Sequence, residues 1–155
     1  MRRSRFISEE STPTDPELAT LKANLKVLTP IRAHRLHTSE RHWRRAKQSL
    51  AEIQRRIDEK EVQLQQRREE HLQRRVALAA EHQSRSISHE TLKDWMGKEK
   101  QLLRDLDDIN RELNELHLAL EQQQEKVQQA KQQVDILQLE NERLQIFTHE
   151  LEEAT

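Results

Sequence analysis

The sequence predicts an all-α protein, a long two-helix antiparallel coiled-coil hairpin with a disordered N-terminal leader. Only 33% of the 155 residues are hydrophobic and 35% are charged, which is too little apolar material for a layered globular core. One glycine and three prolines are too few for the many corners of a compact fold. Leucines recur at heptad spacing through much of the chain, which is typical of a coiled coil.

The N-terminal part of the chain is expected to divide at its prolines. Residues 1–16 combine Ser, Thr, Pro and mixed charge, so they are predicted to form the disordered leader. Four leucines at 3-4-3 spacing then predict a short amphipathic helix over 17–28. A Thr-Pro pair at positions 29 and 30 is a helix-start signal, so the first long helix is predicted over 29–83.

Apolar residues of the first long helix keep heptad spacing as far as Leu64. Leu72, Val76 and Ala79 are then reached by steps of four through Arg68. This shift of phase predicts a stutter, which locally unwinds a left-handed supercoil.

A short polar stretch predicts a bend over 84–89, followed by the second long helix over 90–153. Ser88 is the expected N-cap, with Glu90 favourably placed in the first turn.

The second helix carries the strongest pattern in the chain. Steps of 3 and 4 from Leu92 to Leu151 define eighteen positions, of which fourteen are apolar, where the overall composition would give about six. Such a sustained pattern predicts a coiled-coil seam, and Asn141 within it is expected to fix the register at some cost in stability.

Charge is distributed unevenly between the two helices. Residues 21–57 carry ten positive and two negative side chains, a net of +8, whereas residues 100–155 carry six positive and thirteen negative, a net of −7. An antiparallel hairpin with i + j near 172 brings the basic segment against residues 115–151, which favours this orientation. A parallel dimer through 92–151 is the alternative, but it places acid against acid.

Several classes of chemistry are not expected. The chain has no cysteine, which excludes disulfides, thiolate catalysis and zinc sites of the Cys type. No motif of a nucleophile elbow, P-loop, zincin or glycine-rich phosphate loop is present. Since a two-helix hairpin offers no concave site that excludes water, we expect no enzymatic activity, no catalytic residue and no cofactor.

His34 and His37 share a helical face, as two metal ligands do. Without a third ligand they are interpreted as surface polar residues, and no metal is expected. The N-terminus lacks the apolar run of a secretory signal, and no window reaches the length of a bilayer span. The protein is therefore expected to remain soluble, without direct insertion into a membrane.

The basic run at 31–47 has the charge needed to contact phosphates. Together with the segment LQLENERLQ it is similar to a leucine-zipper transcription factor. In such factors the zipper continues directly from the basic helix, but here it lies about ninety residues downstream, so the forked docking geometry fails. Nucleic-acid binding is not expected.

The stretch after the bend contains a bulky ring beside the only glycine of the chain. Trp95 occupies a d position, where it is expected to fill the gap between the diverging helices. Gly97 falls at an outward f position, where it costs about 1 kcal/mol relative to alanine. An apolar patch that another protein approaches closely would explain this cost. The patch is expected to comprise Ile87, Leu92, Met96 and Leu103.

This stretch also carries a resemblance to a known family. The segments LKVLTPIRAHRLHTSERHWRRA and SHETLKDWMGKEKQLLRDL, separated by a polar bend and followed by a Gln/Glu-rich return helix, resemble the YscO family of type III secretion. The most particular element is the Leu-x-x-Trp formed by Leu92 and Trp95. The resemblance covers about residues 25–155, and YscO proteins are related in architecture to the flagellar protein FliJ.

The resemblance implies a central stalk protein that is cytoplasmic and peripheral to the inner membrane through its partners. The implied partners are a hexameric secretion ATPase, the cytosolic ring of the export gate and export chaperones. Charge complementarity to an acidic pore then makes five arginines candidates for contacting the ATPase: Arg32, Arg35, Arg41, Arg44 and Arg45. Candidates for contacting the export gate are Leu92, Trp95 and Met96. The alternative function is a homodimeric coiled-coil scaffold or adaptor with no link to an ATPase.

Overall fold

A computed structural model describes residues 16–84 and 88–154. These residues form two α-helices, α1 at Pro16–Ser84 and α2 at His89–Glu153, and they contain no strand. The two helices pack against each other as an all-α hairpin, which confirms the predicted fold class. Apart from Pro16, where α1 begins, the predicted leader lies outside the described residues.

Each of two compact units contains a part of both helices. The first unit takes Met1–Ala46 and Lys126–Thr155, and the second takes Lys47–Glu125. The buried residues of the first unit are Leu25, Leu36, Ala46, Ala130, Val134 and Leu144. The core of the second unit is formed by Ile57, Leu64, Ile109 and Leu113, with Ile53, Leu106, Leu116 and Leu120 packed against it.

The register inside each unit agrees with the predicted antiparallel pairing. In the second unit, Lys60 contacts Glu112 and His71 contacts Glu99. In the first unit, the Nζ atom of Lys131 lies 4.7 Å from the ring centroid of Trp43. The residue numbers of these three pairs add up to values within two of 172, so the α1 and α2 segments of each unit run in opposite directions.

Helix α2 starts as the sequence predicts. The Ser88 hydroxyl oxygen accepts a hydrogen bond from the Thr91 backbone N–H at 3.2 Å, and the Leu92 N–H donates to the Ser88 carbonyl at 3.1 Å. The Ser88 side chain thus caps the Thr91 N–H, which has no backbone partner inside the helix, and the Ser88 carbonyl accepts the first helical hydrogen bond. Glu90 lies in the first turn. Of the predicted bend at 84–89, residues 85–87 lie outside the described residues.

The predicted break before Pro30 is wrong, because α1 continues through this proline. The helices predicted at 17–28 and 29–83 are therefore one element. Proline removes one backbone hydrogen bond and crowds the preceding turn, but the Thr29 hydroxyl donates to the Leu25 carbonyl at 2.7 Å. Leu25 and Leu36 are both buried on either side of the proline. Packing of α1 against α2 in the first unit thus overrides the local signal.

The predicted stutter in α1 is also wrong. Leu72 and Val76 are each 63% exposed, so neither belongs to the seam. The half-buried residues are instead His71 and Leu78, which lie seven and fourteen residues after Leu64. The heptad pattern continues without a phase shift, because the polar residue His71 occupies the seam position and Leu72 faces solvent.

The predicted seam of α2 is confirmed almost throughout. Every predicted seam position from Trp95 to Leu151 is buried or half-buried, including Asn141, and only Leu92 is exposed. These positions are used against α1, so a dimer formed through 92–151 would compete with the hairpin. Within the described ranges, no helical stretch combines the length and apolar character required to cross a bilayer.

Candidate functional site

Four exposed arginines lie on α1 in the first unit, and we call Arg35, Arg41, Arg44 and Arg45 the arginine face. Arg41, Arg44 and Arg45 share one side of the helix, with Arg35 at its edge, whereas Arg32 is half-buried at the seam. Within the described part of the chain, the side chains of this face make one hydrogen bond, which the Nη2 atom of Arg41 donates to the Thr38 hydroxyl at 3.3 Å.

The arginine face is not neutralised by the acidic helix. Among the described residues, no carboxylate lies within 4 Å of Arg32 or of any arginine of the face. The expected pairing with the acidic segment of α2 therefore does not occur at these residues. Arg41 also precedes Arg44 and Arg45 by three and four residues, a spacing at which like charges destabilise a helix by tenths of a kcal/mol.

Arginines further along α1 behave differently. In the second unit, Arg55 donates from Nε and Nη2 to Glu52 at 3.1 and 2.6 Å and also contacts Glu59. The hydrogen bond from Arg55 lowers the pKa of the Glu52 carboxyl, and the same bond raises the pKa of the Arg55 guanidinium. Arg56 lies 3.4 Å from the same Glu52. Local carboxylates therefore satisfy these two arginines, whereas the arginine face keeps its charge available to a partner.

Trp43 anchors the part of α1 that carries the arginine face. Its side chain is half-buried, and the Lys131 ammonium lies over its ring in a cation–π contact. Trp43 is one of the apolar residues at heptad spacing in α1, but its contact with Lys131 is not evident from the sequence, since that pairing depends on the register of α2.

The histidines beside the arginine face do not form a metal centre. His34 and His37 are exposed, and the Nδ1 atom of His37 lies 3.6 Å from a carboxylate oxygen of Glu40. Across the described side chains of residues 16–81 and 88–154, no three His, Asp or Glu come together to hold a metal ion.

The start of α2 exposes apolar side chains, as predicted for the stretch after the bend. Leu92 is 41% exposed, Met96 48% and Leu103 46%, while Trp95 is half-buried at its d position. The fourth predicted member of the patch, Ile87, lies outside the described residues. We call Leu92, Met96 and Leu103 the apolar group of α2.

Gly97 beside this group faces solvent, as its f position predicts. An added Cβ atom would meet nothing within 4 Å, and the backbone φ angle is not positive. Neither packing nor backbone conformation within the hairpin therefore requires glycine at this position.

A polar layer in the seam of the second unit was missed by sequence analysis. The Nε2 atom of His71 lies 2.9 Å from a carboxylate oxygen of Glu99, and each side chain is 20% exposed. The Nε atom of Arg75 lies 3.7 Å from the same oxygen. Glu99 is one of the four polar positions in the heptad pattern of α2, and its partner is not evident from the sequence because His71 is not apolar. The seven-residue steps from Leu64 to His71 and Leu78 are the signal that identifies it.

Comparisons of the chain with protein-family models, with curated proteins and with solved structures give no match.

Proposed function

We propose that this chain is a stalk and escort component of a type III secretion export apparatus. In this role it links and stimulates the hexameric secretion ATPase and contacts the cytosolic ring of the export gate. It acts in the cytoplasm, at the inner membrane through these partners, and it also escorts export chaperones. The helical hairpin supports the proposal because it is the fold that the resemblance to the YscO family implies.

The arginine face is the observation that carries the proposal. Arg35, Arg41, Arg44 and Arg45 are exposed and have no carboxylate nearby in the described chain. A surface of this kind suits an acidic partner, because opposite charges accelerate association and fix orientation. We assign this face to the ATPase and place half-buried Arg32 at its edge.

The apolar group of α2 is the second surface that the proposal uses. Leu92 and Met96 expose enough apolar area to contact another protein, while half-buried Trp95 supports them from the seam. Open space at Gly97 lets a partner backbone come close to α2. We assign this surface to the cytosolic ring of the export gate.

Charge reversal tests the assignment to the ATPase. The triple variant Arg41→Glu, Arg44→Glu, Arg45→Glu should lose most of its ability to stimulate a purified hexameric secretion ATPase. The stimulated activity is the hydrolysis of ATP by that enzyme. The expected loss is about tenfold or more, since truncating or reversing several charges at an interface strongly slows association. The measurement is the ATPase rate against the concentration of added chain, at low and at physiological salt.

A second triple variant controls for the change of net charge. Lys100, Arg104 and Arg111 are exposed residues of α2 in the second unit, and their replacement by glutamate alters the net charge equally. This control should stimulate like the unchanged chain. Unchanged stimulation by the arginine-face variant, with its helix content intact by circular dichroism, would reject the proposal.

Two alternatives have less support from the same observations. A scaffold that dimerises through 92–151 would need the seam positions that already pack against α1. A nucleic-acid complex would bring the acidic α2 close to phosphates, and its signature would be a strong loss of duplex DNA binding as salt increases.

A further inference from the structure

The outer side of α2 in the first unit carries an apolar stripe that nothing in the hairpin covers. Its exposed fractions are 52% for Ile136, 48% for Leu139, 59% for Ile146 and 44% for Phe147. Steps of three, seven and one residue separate them, so they follow one face of the helix. That face is distinct from the seam, which uses Val134, Leu137, Asn141 and Leu144. We call this surface the outer stripe.

Two opposite charges interrupt the outer stripe at its centre. Glu140 and Arg143 are exposed, and neither forms an ion pair with any described residue of the chain. Although they lie three residues apart, they do not pair with each other. The outer stripe thus presents apolar side chains at both ends and two unpaired charges of opposite sign between them.

We propose that the outer stripe binds a second copy of this chain in antiparallel orientation. The register that fits is i + j = 283, with residue numbers taken from the two copies. It sets Ile136 of one copy against Phe147 of the other, and Glu140 against Arg143. Because the arrangement has two-fold symmetry, each of these pairs occurs twice.

Charge decides between a parallel and an antiparallel pair. In a parallel in-register pair, Glu140 would meet Glu140 and Arg143 would meet Arg143, and like charges directly opposite are destabilising. The antiparallel register replaces both repulsions with ion pairs and covers the apolar ends. A second copy is therefore a better occupant than an unrelated helix, since this one surface supplies both members of the Ile136–Phe147 pair and of the Glu140–Arg143 pair. This inference does not depend on the proposed function.

A charge swap tests the pairing without removing any apolar contact. Glu140→Arg alone sets arginine against Arg143 of the second copy, so the dissociation constant of the dimer should increase about tenfold at the same salt concentration. Arg143→Glu alone should weaken the dimer similarly. The double variant Glu140→Arg, Arg143→Glu restores opposite charges and should recover most of the affinity. Sedimentation equilibrium over a range of chain concentrations measures each dissociation constant.

Leu118→Gln provides a matched control for general surface effects. Leu118 is 57% exposed in the second unit and lies outside the outer stripe, so this variant should dimerise like the unchanged chain. A chain that is monomeric at all concentrations would overturn the proposal. A dimer whose dissociation constant is unchanged in both single charge variants would also overturn it.

Cysteine cross-linking tests the antiparallel orientation of the two copies. The chain has no cysteine of its own, so only the introduced cysteines can form disulfides. The double variant Ile136→Cys, Phe147→Cys should form disulfide-linked dimers under mild oxidation, because the antiparallel register brings the two positions together. Ile136→Cys alone should not, since the two copies of this position would be roughly 16 Å apart along the helix, beyond the reach of a disulfide. Efficient cross-linking of the single variant would show a parallel pair and overturn the inference.

Discussion

Glu99 places a carboxylate in the seam of the second unit, where its hydrogen-bond partner His71 is equally shielded from water. Partly buried polar pairs of this kind contribute little net stability, because the loss of hydration offsets much of their attraction. Apolar residues of similar size are often at least as favourable. The pair is therefore interpreted as a determinant of structural specificity.

This interpretation predicts the effect of an apolar replacement. The double variant His71→Leu, Glu99→Leu should increase the free energy of unfolding by about 1–2 kcal/mol, because leucine fills both seam positions without a desolvation cost. Urea unfolding followed by circular dichroism measures the change. Replacing exposed Gln73 and Gln101 by leucine is the control and should leave stability nearly unchanged. A double seam variant less stable than the unchanged chain would show that the polar pair itself stabilises the unit.

Individual residues also mark the limit of prediction for the candidate sites. Exposure of Met96 and Gly97 follows from their heptad positions, and both are exposed in the structure. The unpaired state of Arg44 and Arg45 does not follow from the sequence, since the acidic residues of α2 are numerous enough to neutralise them. Which side chains come within 4 Å depends on the rotation of each helix about its own axis, and composition does not determine this rotation.

At the scale of single elements, Pro30 is the least favourable residue of α1. A proline in a helix interior costs about 3 kcal/mol relative to alanine, yet the helix continues through it. The contact from Thr29 to the Leu25 carbonyl and the burial of Leu36 keep the flanking turns in place.

Replacing this proline should therefore stabilise the protein. Pro30→Ala restores a backbone N–H donor and relieves crowding, so the free energy of unfolding should increase by about 1–3 kcal/mol. Thermal unfolding provides the measurement. Asn24→Ala, at an exposed position of the same helix, gives the gain expected from helix propensity alone. An equal increase in the free energy of unfolding for the two variants would show that Pro30 causes no strain in the helix.

The two helices differ in how well their sequences predict them. The seam of α2 is apolar at fourteen of its eighteen positions, so its heptad pattern identifies the buried face directly. The seam of α1 includes Lys60 and His71, which are half-buried, and exposed Leu72 and Val76 imitate a shifted seam. Polar seam residues of α1 are marked in the sequence only by their seven-residue spacing from buried leucines, and their partners on α2 lie far away in the sequence.

At the scale of the whole molecule, the seam is satisfied within one chain. Leu102 is only 2% exposed and Val134 only 3%, and each packs within its own unit without a second copy. Folding should therefore be an intramolecular event, and the outer stripe should add self-association to a hairpin that is already folded.

Thermal unfolding separates these two processes. In the Glu140→Arg background, which weakens the proposed self-association, and at chain concentrations below the dissociation constant of that variant, Leu102→Ala should reduce the free energy of unfolding by about 2–5 kcal/mol. Its melting temperature should not change with chain concentration, because no second copy takes part in folding. Leu103→Ala is the neighbouring control: Leu103 is 46% exposed, so its loss should have a much smaller effect. A melting temperature that increases with concentration in this background would indicate a seam formed between chains.

The polar layer of His71 and Glu99 also bears on slippage of one helix along the other. A hairpin displaced by one heptad would set Glu99 against Leu64 or Leu78, and His71 against Leu92 or Leu106. Each misaligned form loses the hydrogen bond and leaves two polar groups facing hydrocarbon, a cost that repetitive leucine layers would not impose. The His71–Glu99 pair thus favours one alignment of α1 against α2 over the forms that are displaced by a heptad.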